Sequence, residues 1–186
     1  MMWPLGYAFG LRDYQIGNAP NWMNEFSSAY DIEAKPAEPV NREQCRLMLQ
    51  SLFADRFKLK VHREMKEESV YFLAIAKNGP KVHEGGPAKF GGALEVNDNG
   101  KPAWPDGWTM QQLANRIADR VDKPVIDHTG LTASYGVDLT FSRNNGADGL
   151  PDILTAVQEQ LGLKLESGKA PIEILVIDHI EKPSAN

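Results

Sequence analysis

Cysteine is nearly missing from this chain of 186 residues, where Cys45 is the only one. A lone thiol excludes an intrachain disulfide and any zinc site built on paired cysteines. No apolar run reaches the roughly 20 residues of a membrane-spanning helix. The opening MMWPLGYAFGLRDY has neither the basic start nor the uninterrupted apolar stretch of a secretory leader. Positive charge is short as well: 20 Lys and Arg stand against 25 Asp and Glu, and nucleic-acid binding needs a basic face. Lys58, Lys60, His62, Arg63 and Lys66 alternate as the outer face of a strand does, which favours a solvated surface over a phosphate site. Also missing are the GxSxG elbow, the P-loop and GxGxxG, and the glycines of GGPAKFGG have neither the spacing nor the strand-to-helix setting of a nucleotide loop. No cofactor or metal is expected. His62 and Glu64 share a strand face, but two ligands fall short of the three or four a zinc ion takes.

What is present is the composition of a folded domain, with 42% hydrophobic and 24% charged residues. MWPLGYAFGL reads as a short helix with Pro4 in its first turn, followed by a brief strand at YQIG. APNWMNEFSS is a loop anchored by Trp22, and AYDIEAK alternates as a half-buried strand. Asn41 and Gln44 form a capping box for a helix running to about Asp55, in which Cys45 reads as a small core residue among Leu47, Met48, Leu49, Leu52 and Phe53. FKLKVHRE and SVYFLAIAK are expected as a hairpin joined by an MKEE turn. GGALEV reads as a strand and DNGKPAW as a turn. Thr109 caps a helix with Met110, Leu113, Ile117 and Val121 on one stripe. Strands at PVID and YGVDLTF follow, then a polar loop at SRNNGADG, a helix LPDILTAVQEQLG closed by Gly162, and two strands, LKLESG and PIEILVIDHIEK.

Two stretches of this chain resemble each other in order and residue kind. MLQSLFADRFKLK matches AVQEQLGLKLE, VYFLAIAK matches IEILVIDH, and YDIEAK matches YGVDLT, pairing Tyr30 with Tyr135 and Leu73 with Leu175. The expected fold is therefore α+β: two similar helix-strand-strand-helix-strand-strand halves, an internal duplication, forming antiparallel sheets covered by helices. The halves would be residues 1–77, with a short N-terminus, and 109–186, separated by a Gly/Pro-rich joint at 78–108 that holds His83 and Glu84. A strand missing before Met1 would leave a sheet edge free for a homodimer.

VIDHTGL, residues 125–131, carries the most chemistry. Asp127 could orient His128 to activate water for hydrolysis of an ester or lactone, with Thr129 or Tyr135 assisting. Neighbours on a strand point to opposite faces, however, so an adjacent Asp–His pair makes a poor dyad. The same objection meets Asp178 and His179. A tight turn, with Asp127 and Thr129 bonded to nearby backbone and Gly130 at positive φ, accounts for the segment. Trp22, Trp104 and Trp108, in or beside loops, could line an apolar cleft between halves for a small ligand, or simply anchor those loops.

LMLQSLFADRFKLKVHREMKEESVYFLAIAKNGPK, TMQQLANRIADRVDKPVIDHTGLTASYGVDLTF and the ending LTAVQEQLGLKLESGKAPIEILVIDHIEKPSAN resemble an acidobacterial, Solibacter-type, soil-associated family of unknown function, DUF3738. RDYQIGNAPNW followed by YDIEAK fits its N-terminal part, so the resemblance covers nearly the whole chain. It implies an extracytoplasmic module, in some members fused to membrane-bound peptidase and sensor proteins, and it implies no catalytic residues. The expected function is a binding module of sensory type, for a small-molecule ligand or a protein partner, without nucleic acid and without membrane insertion. The alternative is a small hydrolase acting on an ester or lactone through the residues of VIDHTGL and Tyr135.

Overall fold

A computed structural model describes residues 2–25, 32, 38–94, 99, 101, 103–142 and 148–183. The chain divides into two compact units, residues 1–68 with 171–186 and residues 69–170. Helices and strands alternate irregularly through both, making the protein α+β.

The first unit contains α1 (Met2–Phe9), β1 (Ile16–Gly17) and α2 (Arg42–Phe57). Short 3-10 turns occupy Asp13–Gln15 and Asn21–Asn24. The capping box starts α2 as its sequence dictates: Asn41 Oδ1 accepts from the Gln44 N–H and Gln44 Oε1 from the Asn41 N–H, both at 2.9 Å. Lys58 ends the helix in the left-handed conformation, φ 52. Phe53 and Phe57, one turn apart and tilted at 5.6 Å, carry the buried face into a core with Leu5, Ala8, Met23 and Ile177. Leu47 and Met48 were expected in that core but face solvent, at 57% and 42% exposure, and Cys45 is half-buried. The α2 stripe that faces the core is narrower than its apolar content.

The second unit holds β3 (His83–Phe90), β4 (Ala93–Leu94), α3 (Met110–Val121), β5 (Val125–Asp127), β6 (Tyr135–Leu139) and α4 (Ile153–Leu161). Thr109 and Gln112 cap α3 reciprocally, and Asp152 caps α4 through the Thr155 N–H. The α3 stripe Met110, Leu113 and Ile117 is fully buried, with Leu73, Trp108, Leu139 and Val157 in the same core. His83 and Glu84, expected in a flexible joint, lie on β3, which pairs with β6.

The expected hairpin at FKLKVHRE and SVYFLAIAK and the two expected strands LKLESG and PIEILVIDHIEK are each one continuous strand. β2 runs unbroken from Lys60 to Ile75 and β7 from Leu163 to His179. MKEE contains no residue suited to a tight turn. Gly168 in β7 serves close approach instead: a Cβ there would lie 2.4 Å from the Phe72 ring. The sheets are mixed rather than antiparallel. One has the order β1-β7-β2-β5 and the other β4-β3-β6. β1 runs parallel to β7, β5 to β2 and β6 to β3, while β3 and β4 are antiparallel. Each parallel partner is separated in sequence by at least one helix, the long connection that parallel pairing requires. The AYDIEAK strand (apart from Ile32), part of the DNGKPAW turn and most of the SRNNGADG loop lie outside the described residues.

Candidate functional site

The VIDHTGL segment leaves the sheet one residue after β5 ends. Asp127 stands opposite Leu73 in the parallel β2–β5 pair, and the following His128 N–H still donates to the Leu73 carbonyl at 2.8 Å. Beyond that bond the chain turns. Asp127 Oδ1 accepts from the Thr129 N–H at 2.8 Å and from the Thr129 hydroxyl at 2.7 Å. Thr129 Oγ1 accepts in turn from the Leu131 N–H at 3.1 Å, and Gly130 takes φ 72 between them. Two nested side-chain turns follow from the order Asp-His-Thr-Gly-Leu, each oxygen capping an amide two residues on. Thr129 is buried, with Ser142 one of two polar residues so buried among the described residues.

His128 takes no part in that network. Its ring is exposed and lies on Phe72, centroids 4.4 Å apart and planes 25° apart. No hydrogen bond joins the side chains of Asp127 and His128 among the described residues. One Asp127 oxygen thus serves the turn, and the His128 ring serves the contact with Phe72.

Tyr135, at the start of β6, is buried and fixed through its backbone: its N–H donates to Trp108 at 2.8 Å and its carbonyl accepts from the Trp108 N–H at 2.9 Å. Gly107 makes this bridge fit, since a Cβ there would sit 2.0 Å from the Tyr135 carbonyl oxygen. Trp108 is 1% exposed, with Phe90 at 5.8 Å and the Arg116 guanidinium over its ring. Its side chain is core. Trp104 is half-buried against the same core, whereas Trp22 belongs to the first unit, half-buried with the Lys182 ammonium 5.7 Å above it.

Sequence reasoning weighed His62 with Glu64 and missed its nearer partner. His62 Nδ1–H donates to both oxygens of Asp178, at 2.8 and 3.0 Å, while Glu64 Oε2 stands 3.9 Å from Nε2. The hydrogen bond to Asp178 raises the His62 pKa above its ordinary value; desolvation opposes it, and the charges of Asp178 and Glu64 add to it. The two residues are 116 positions apart in sequence, so only the pairing of β2 with β7 reveals them as neighbours. His179 bonds instead to Glu181 at 2.8 Å. No group of three or more metal-binding side chains converges among the described residues.

The family model described as "Protein of unknown function (DUF3738)" matches residues 4–180. The chain belongs to the DUF3738 family. No curated protein and no solved structure matches it. DUF3738 membership therefore carries no assigned activity, and the roles of individual residues rest on geometry. No helix among the described residues of this DUF3738 chain is long and apolar enough to cross a membrane.

Proposed function

We propose that this DUF3738 chain is a binding module of sensory type, taking a small molecule or a protein, and that VIDHTGL is a structural turn within it. One observation carries the reading: the Asp127 carboxylate is engaged by Thr129 while the His128 ring stacks on Phe72. Placement outside the cytoplasm, as the family resemblance implies, belongs to the same proposal. The ester or lactone hydrolase is the lesser reading, because the turn already engages the Asp127 oxygen and the stack on Phe72 already engages the His128 ring. Of the partner readings, self-association at an edge of the β1-β7-β2-β5 sheet has the least support, since its outermost strands β1 and β5 are two and three residues long.

We also read the chain as an internal duplication. Two regularities support it: α2 and α4 each end in a left-handed residue leading into a long strand, Lys58 before β2 and Gly162 before β7. Each long strand then pairs in parallel with a short strand that follows another helix, β7 with β1 and β2 with β5.

The test is a hydrolysis screen of the purified chain against short- and long-chain esters and lactones, with His128→Ala and Asp127→Ala alongside. The binding reading expects no turnover that depends on both residues. Turnover abolished by both substitutions would make the segment an active-site loop.

A further inference from the structure

The packing of α1 on α2 leaves two cations together in an unfavourable place. Arg42 and Arg46 are one turn apart on α2, and both guanidiniums stand over the ring of Tyr7, at 5.7 and 5.5 Å from its centroid. Like charges at this spacing on a helix repel one another. Arg42 also occupies the first position of α2, where the positive end of the helix dipole opposes a cation. Neither arginine forms an ion pair with an acid among the described residues, and the Arg46 Nε is buried with no hydrogen-bond partner.

Part of this is explained by α1. Its C-terminal turn ends at Gly10, φ 69, where a Cβ would lie 3.3 Å from Arg46 Nη1. A cation is favourable at that negative helix end. Gln50 serves the same turn by donating to the Ala8 carbonyl at 2.8 Å. Those contacts account for Arg46 being near α1, but they leave Arg42 without compensation. The Tyr7 ring supplies attraction for both cations.

We infer that Arg42 and Arg46, braced on Tyr7, form a binding site for an oxyanion, a phosphate or carboxylate group of a ligand. A planar guanidinium pair offers several N–H donors in the fork geometry that such groups accept, and an anion there would relieve both the mutual repulsion and the dipole conflict. Arg42 is exposed and Arg46 half-buried, so a ligand can reach them. The site lies in the first unit, whereas Asp127, His128 and Tyr135 lie in the second. It stands whether or not those residues are catalytic.

Calorimetric titration of the full chain with inorganic phosphate and, separately, with malonate tests this, with chloride holding ionic strength constant. Saturable one-to-one binding of either anion is expected, weakened at least about tenfold by Arg42→Gln. The control Arg56→Gln, in the last turn of α2, is expected to bind as the wild type does. Phosphate binding alone identifies a phosphorylated ligand, malonate alone a carboxylate, and both the general oxyanion site. Arg42 is exposed, so its replacement leaves the fold intact, which circular dichroism checks. No saturable binding of either anion, or binding that Arg42→Gln leaves unchanged, overturns the inference.

Discussion

The His128 imidazole lies nearly flat on the Phe72 ring at 4.4 Å, held there by the bond from its own N–H to the neighbouring Leu73 carbonyl at 2.8 Å. This contact covers one edge of the sheet with an exposed aromatic. His128→Ala is accordingly expected to fold and to lose about 0.5–1.5 kcal/mol of stability, while His128→Phe retains most of it. Urea denaturation of the three proteins checks the order. Equal loss in the alanine and phenylalanine variants would show that stacking contributes nothing.

Gly162 and Lys58 occupy equivalent left-handed positions after α4 and α2, with φ 63 and 52. Only one of them needs to be glycine for space: a Cβ on Gly162 would lie 2.2 Å from the Gly79 carbonyl oxygen. Gly162→Ala is expected to destabilise by on the order of 2–4 kcal/mol, from the left-handed strain plus the clash. Lys58→Gly removes the same strain and should stabilise by up to about 1 kcal/mol. Thermal unfolding reads both, and shifts of the same sign would contradict the assignment.

Gly168 tests the continuity of β7. If its role is to admit the Phe72 ring, Gly168→Ala should cost about 1–3 kcal/mol through overpacking, and adding Phe72→Leu should restore part of that loss. A turn glycine would show no such coupling. Additive losses in the double variant would bring back two separate strands at LKLESG and PIEILVIDHIEK.

His62 makes stability depend on pH. Its pKa is raised by the hydrogen bond to Asp178, so folding favours the protonated ring. The contribution is present in full below the unfolded value of 6.5 and is lost as pH rises through the higher folded value. The denaturation midpoint should therefore fall across that interval in the wild type, and Asp178→Asn should flatten this part of the profile. A wild-type profile that rises there would reverse the sign of the linkage.

Helix starts and stops were legible because they are written in adjacent residues: Asn41 with Gln44, Thr109 with Gln112, and Gly162. The turn at Asp127–Leu131 was legible for the same reason, since each of its bonds spans two residues. Strand continuity was not. Gly168 and Pro171 look like punctuation in sequence, yet the glycine answers to Phe72, on another strand. Parallel pairing was equally hidden, because Ile16 meets Leu175 and Phe72 meets Ile126 only through long connections. The burial of Trp108 depends on the bridge to Tyr135, and the His62–Asp178 pair on the meeting of β2 with β7. Neither leaves a local signature.

The central claim is that Asp127 serves the turn and not a reaction, and the equilibrium unfolding free energy of Asp127→Ala tests it most directly. The substitution strands the Thr129 N–H and hydroxyl, so stability should fall by about 1–3 kcal/mol with an unchanged denaturant slope. Residues held for chemistry tend to be neutral or costly to stability. An Asp127→Ala protein as stable as the wild type, or more so, would contradict the account.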